Sequence, residues 1–221
     1  MAGLTRPGGY HSPTPMPTIA IIDFETTGMS PDVGARPTEV AIVLTEQGRV
    51  VDRYQSLMNP GVHIPPFITG LTGITNAMVG AAPPVAQVMA EAARFVGDAP
   101  MVAHNASFDR KFWQAELGQL GLRTDHPFAC TVLLSRRLYP HAPSHKLGAL
   151  VQHLDLPASG RAHRALADAE MTAELLRHML GVLRRDHSLH QPSHALLMQL
   201  QRCTKAQVPQ WLAQAATELH R

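Results

Sequence analysis

The stretch Thr18-Ile19-Ala20-Ile21-Ile22-Asp23-Phe24-Glu25-Thr26-Thr27-Gly28 decides the fold. Its first half is short, apolar and β-branched, the pattern of a strand buried on both faces. Its second half carries two carboxylates two residues apart, then a glycine. Residues i and i+2 of a strand point to the same face. Asp23 and Glu25 therefore stand side by side at the end of a buried strand. Adjacent carboxylates repel one another, at a cost that a cation between them would relieve. Hard divalent ions take oxygen ligands and suit that role. Taken alone, the pair more readily reads as two solvated acids feeding a turn at Gly28.

Outward from that strand, Val40 to Leu44 is a second strand and Val50 to Leu57 a third, with Gly48 between them. This is the pattern of an antiparallel meander. Pro60 to Gly73 reads as loop. Val85 to Val96 has apolar residues at spacings of three and four and predicts an amphipathic helix. Pro100 to His104 is a short strand, and Ser107 opens a helix running to about Leu120. Phe128 to Leu138 mixes a short segment with the start of a helix. Ser144 to Leu154 is a helix with Ser144 as candidate N-cap. Ala165 to Leu183 is the longest helical pattern, ending near Arg184-Arg185. Strands first, then helices alternating with strands, predict an α/β or α+β domain around a mixed sheet.

Three regions follow: a flexible Pro/Gly-rich tail over 1–17, a main domain over 18–185, and a helical C-terminal extension over 186–221. The extension has helical patterns around Ala195–Arg202 and Gln210–Leu219 and reads as an appendage outside the first core. Its Leu196, Leu197, Leu200 and Trp211-Leu212 fit either a partner-binding face or helices packed back on the domain.

The 221 residues suffice for one main domain with a full core. No apolar run approaches the ~18–20 residues of a membrane span, and residues 1–17 lack the apolar segment of a secretory signal. Cys130 and Cys203 make neither a disulfide framework nor a C-x-x-C pair. The expectation is a reduced, cytoplasmic protein without a membrane partner. A net charge of +2 gives no strongly basic coat, yet leaves room for an enzyme gripping a few phosphates. Thirteen histidines against 17 carboxylates suggest a histidine metal site at first sight.

Two further blocks bear on that suggestion. His104-Asn105-Ala106-Ser107-Phe108-Asp109 lies at a strand-to-helix junction, with Asp109 in the first helical turn, where the dipole favours negative charge. His163-Arg164-Ala165-Leu166-Ala167-Asp168 opens the long helix. Five residues on a helix put His163 about 140° from Asp168. The two converge only if His163 lies in the loop before the helix, which Gly160 and Arg161 favour.

In this order and spacing, the three blocks resemble the motifs of the DEDDh 3′–5′ exonuclease family, especially the group similar to the proofreading epsilon subunit of bacterial DNA polymerase III. Thr26-Thr27-Gly28, Leu71-Thr72-Gly73-Ile74-Thr75 and Lys146-Leu147 support the resemblance, which covers roughly Thr18 to Leu183. It departs at Leu71-Thr72-Gly73, where the epsilon subunit has a histidine before the glycine. No clear clamp-binding peptide follows the domain.

The resemblance implies an RNase H-like fold, with an antiparallel meander and parallel strands flanked by helices. It implies an enzyme that hydrolyses phosphodiester bonds at the 3′ end of single-stranded or frayed DNA, in proofreading or repair, and releases nucleoside 5′-monophosphates. Asp23, Glu25, Asp109 and Asp168 would hold two divalent cations, Mg²⁺ or Mn²⁺. His163 would be the general base, since an imidazole's ordinary pKa of ~6.5 suits neutral pH. No histidine is then needed as a ligand. Substrate contacts are expected at Thr26, Thr27, Gly28, Met29, Thr72, Asn105 and Phe108. Phe108 is placed to stack on terminal nucleotides or to pack into its own helix's core, and His104 to brace the junction. A DNA polymerase subunit is an expected partner. Two other readings stand beside this one: an exoribonuclease of the same family trimming RNA or short oligoribonucleotides, and a non-catalytic polymerase-docking or scaffold module.

Overall fold

A computed structural model describes residues 18–158, 160 and 163–218. The expected tail over 1–17 and Arg161 lie outside the described residues. The chain runs β1 (Ile19–Thr26), β2 (Pro37–Glu46), β3 (Arg49–Leu57), α1 (Pro66–Thr72), α2 (Asn76–Gly80), α3 (Val85–Val96), β4 (Met101–Ala103), α4 (Ala106–Gln119), β5 (Phe128–Cys130) and α5 (Thr131–Leu138). It continues through α6 (Leu147–His153), α7 (Ala165–His187), α8 (His194–Leu200) and α9 (Val208–Glu218).

The five strands form one sheet in the order β3-β2-β1-β4-β5. β1–β2 and β2–β3 pair antiparallel, and β4 and β5 join in parallel. This is the RNase H-like mixed sheet expected from the motifs. β1 sits at its centre, so both of its faces are covered. Ile19 and Ile21, with Ala41 and Val43 of β2, face α7. Ala20, Ile22 and Phe24 face the opposite layer, with Val88 and Met89 of α3 and Phe112 and Trp113 of α4.

Two local expectations need correction. The segment read as loop over Pro60 to Gly73 contains α1. Pro66 occupies the start of this helix, where its missing N–H costs nothing. Gly73, at φ 76°, closes the helix in the left-handed region. Ser144 does not cap α6: the helix starts at Leu147 with Lys146 at the cap position, and the Ser144 hydroxyl, two residues earlier, accepts from the Lys146 N–H.

The extension is continuous with the core. Leu189, Leu196, Leu197, Leu200, Val208 and Leu212 are buried in the same cluster as Ile19, Ile21 and Leu180. Polar ties accompany them. The Gln201 side chain bonds the edge of β5, accepting from the Cys130 N–H at 2.7 Å and donating to the Phe128 carbonyl at 3.4 Å. The His194 Nε2 meets the Met101 carbonyl at 2.8 Å. The Arg137 guanidinium donates twice to the Cys203 carbonyl. Of the two expectations for these leucines, packing back on the domain is the one observed. Their apolar side chains are spent on the sheet's own layer.

Candidate active site

The strand alternation that buries Ile19 and Ile21 against α7 carries on to Asp23 and Glu25 at the C-terminal end of β1. Asp23 is half-buried and Glu25 is buried. Asp109, in the first turn of α4, is also buried, and its Oδ1 accepts the Phe24 N–H at 3.1 Å. That bond ties the helix to the strand between the two β1 acids. Asp168 lies in the first turn of α7. Its Oδ2 accepts the His163 N–H at 3.0 Å.

His163 lies before α7, exposed and at φ 61°. This is the loop placement that convergence required. One ring nitrogen of His163 and one carboxylate oxygen each of Glu25 and Asp168 lie within 4.8 Å of one another. Gly160, at φ 62°, shapes the approach: a Cβ there would lie 2.9 Å from the Ala167 Cβ.

The electrostatics are those of a crowded acid cluster. Burial raises Asp23 well above the ordinary carboxylate range, and the charges of Asp109, Asp168, Glu25 and Glu39 raise it further. Burial pushes Glu25 up to about 8, with Asp168, Glu39 and Asp109 adding to it. Burial also raises Asp109, against the Phe24 N–H, and Asp168, against the His163 N–H. Burial is the largest cause at each of the four, and neighbouring carboxylates add to it at Asp23, Glu25 and Asp168. A hard cation would remove that repulsion, and an all-oxygen donor set is what such an ion takes. The residues present therefore fit divalent cations.

Glu39 was not visible as a site residue in the sequence. It lies directly across from Glu25 in the β1–β2 register and is fully buried. Burial pulls its pKa upward, but hydrogen bonds from the Arg164 side chain, the Ala165 N–H and the Gln55 amide outweigh this and hold it below its usual value. It is thus the one acid of the cluster held ionised by partners within the chain. Its signal was weak, a glutamate at the start of an apolar strand. Its role depends on Arg164, 125 residues away.

The expected substrate contacts divide. Met29 is 77% exposed beside the site strand, and Gly28 stands next to it. Asn105 is exposed at the start of α4, in the left-handed region at φ 70°. Phe108 is half-buried, with its ring 5.1 Å from Phe112, so it packs in part into the core. Thr26 and Thr27 are buried and shape the loop. The Thr26 hydroxyl donates to the Gly28 carbonyl, and the Thr27 hydroxyl accepts the Arg36 N–H. Thr72 departs from expectation. It is 1% exposed, and its hydroxyl is occupied by the Ile68 carbonyl and the Ile74 N–H, so it offers no side-chain surface to a nucleotide. Its neighbour Leu71, 48% exposed, occupies the surface instead. His104 braces the junction as expected: Nδ1 meets the Thr131 hydroxyl at 2.9 Å and Nε2 the His145 carbonyl at 3.1 Å.

The exonuclease family RNase_T matches residues 20–176, which include all three motif blocks. The chain belongs to the exonuclease family. It is an exonuclease domain of the DEDDh type, a nuclease in class. A DNA polymerase III PolC-type protein of Clostridium perfringens is 35% identical over 77% of this chain and 12% of its own length. The 3′-5′ exonuclease DinG of Bacillus subtilis is 38% identical over 75% of this chain and 18% of its own. The exonuclease domain thus spans between about an eighth and a quarter of the curated relatives it matches. Among solved structures, Exonuclease X in complex with 5′ overhanging duplex DNA superposes with a TM-score of 0.61 at 31% identity, covering 74% of this chain and 92% of that one. Exonuclease I superposes at 0.66 and 20% identity, which reflects the shared fold.

Proposed function

We propose that this exonuclease domain removes nucleotides from the 3′ end of single-stranded or frayed DNA, releasing nucleoside 5′-monophosphates. The observation that carries the reading is the meeting of Asp23, Glu25, Asp109 and Asp168 at the end of β1, with the His163 ring at their open side.

Two divalent cations, Mg²⁺ or Mn²⁺, held by these four carboxylates would activate water and offset charge on the leaving 3′ oxygen. The chain's own groups do the rest. Asp23 feels the charge of every other acid in the cluster. The Phe24 N–H fixes Asp109, and the His163 N–H fixes Asp168, so two of the four carboxylates are oriented before substrate arrives. The exposed His163 ring accepts the proton of the attacking water. Met29 and the Gly28 backbone border the terminal nucleotide, and the outer face of Phe108 supplies a stacking surface without base readout.

Several relatives support this reading. Exonuclease X is bound to an overhanging DNA, and the DinG relative is named a 3′-5′ exonuclease. The PolC-type relatives are the ground for including a DNA polymerase subunit among the proposed partners. No helix among the described residues is long and apolar enough to cross a membrane, and action in the cytoplasm is part of the proposal. Matched DNA and RNA oligonucleotides compared by initial rate test the substrate class. Faster cleavage of DNA is expected, and faster cleavage of RNA would assign the domain to RNA ends.

A further inference from the structure

A second feature opens off the same helix turn that carries Asp109. A cavity of about 220 Å³ lies between the start of α4, strand β5, helix α5 and Gln201 of the extension. Arg110 of α4 and Arg136 of α5 line it, and no aspartate or glutamate does. Both arginines are exposed. Elsewhere Arg36, Arg53, Arg123, Arg164 and Arg177 each hold a carboxylate. The two on the cavity hold none among the described residues. Two guanidinium groups turned to one hollow without an acid form an anion site, and their planar forks match a phosphate.

The wall opposite comes from beyond the matched exonuclease region. Gln201 is fixed by its two bonds to β5, so the extension closes the hollow rigidly. Positive charge continues past it: burial, then Arg136, then Lys205 hold the His145 ring below its usual pKa, which places both cations near that ring. Asn105 and Ser107, on the cavity's near edge, precede Asp109 on the same turn. A strand whose 3′ end lies at the carboxylates therefore has this hollow beside it.

We propose that the cavity binds a backbone phosphodiester of the substrate strand outside the terminal nucleotide, gripped by Arg110 and Arg136. The C-terminal extension thereby takes part in holding nucleic acid. The inference rests on the nuclease reading, and its test is separable from it.

The test uses the full chain and the double variant Arg110→Gln/Arg136→Gln. Binding of a labelled 20-nucleotide DNA strand is followed by anisotropy in Ca²⁺, from 25 to 200 mM salt. In parallel, Mg²⁺-dependent hydrolysis of the p-nitrophenyl ester of thymidine 5′-phosphate reports the carboxylate site without a strand. The expected result is a Kd raised about tenfold at low salt, with the slope of log Kd against log salt reduced by roughly one per arginine. Ester hydrolysis stays within about twofold of the parent. Arg110→Lys/Arg136→Lys restores most of the affinity. Arg49→Gln, at the β2–β3 turn, measures the effect of removing one positive charge away from the cavity. Unchanged strand binding, a shift in log Kd no larger than twice that of Arg49→Gln, or an equal loss in ester hydrolysis would overturn the proposal. A parent chain that binds the strand through the two arginines yet hydrolyses neither substrate would overturn the nuclease reading and leave the cavity assignment standing.

Discussion

The Arg164 guanidinium forks onto the Glu39 carboxylate, Nη2 to Oε1 at 2.8 Å and Nε to Oε2 at 3.1 Å. The same carboxylate accepts the Ala165 N–H at 3.1 Å. The start of β2 thus fixes Arg164 and Ala165 at the entry to α7, one and two residues after His163 and four and three before Asp168. Glu39 touches no reacting atom in the proposed chemistry; it positions the segment that does.

Glu39→Gln should therefore lower kcat about 10- to 100-fold with KM within about threefold. It leaves Arg164 one-third exposed and without its charge partner. The stability loss should be about 1–3 kcal/mol, below that of a fully buried pair. Urea unfolding and steady-state kinetics measure the two effects. An unchanged kcat would show that the pair serves stability alone.

His163→Asn is the cleanest removal of the proposed base, because asparagine tolerates the left-handed backbone that His163 adopts at φ 61°. With an exposed side chain, the change should move Tm by less than about 2 °C. The rate should fall by a factor of about 10²–10⁴. A rate near the parent's would remove His163 from the role.

Gly160→Ala combines two penalties, a positive φ of 62° and a Cβ 2.9 Å from the Ala167 Cβ. The loop must shift, and His163 with it. A fall in kcat of about tenfold or more is expected, with a stability cost of about 1 kcal/mol. Full activity would mean that the loop relaxes without moving the base.

The acid cluster makes stability depend on pH in the presence of chelator. Glu25 ionises near 8 when folded and near 4.5 when unfolded, and Asp23, Asp109 and Asp168 are shifted the same way. Between those values the folded chain holds more protons than the unfolded one, so stability is greatest below about 4.5 for these groups and falls as pH rises towards 8. Tm in EDTA should drop across that window by roughly 5–10 °C, and Mg²⁺ or Mn²⁺ should restore it at pH 8. A Tm in EDTA that rises from pH 5 to 8, or ions without effect, would contradict the clustering of ionisable acids.

Much of the fold was legible because its signals are local. The β1 run, the meander and the apolar spacing of α3 each follow from a few consecutive residues. The acids were legible only as a set, since Asp23, Asp109 and Asp168 each sit at an element boundary where an acid is ordinary. What escaped was non-local. Glu39 gains its meaning from Arg164, and Thr72 loses its expected surface because α1 folds its hydroxyl onto Ile68 and Ile74. The extension looked separable because Pro192 and a change of pattern follow α7. Its leucines find their partners on β5, α5 and α7, which no local periodicity reports.

The most direct measurement is digestion of one DNA oligonucleotide carrying either a 3′ or a 5′ label, in Mg²⁺, with Asp23→Ala as control. The 3′-labelled strand should lose its label at once as a mononucleotide, while the 5′-labelled strand shortens one nucleotide at a time, and the Asp23→Ala chain should leave both intact. Internal cuts, loss of the 5′ label first, or equal digestion by the Asp23→Ala chain would contradict a 3′–5′ exonuclease built on these carboxylates.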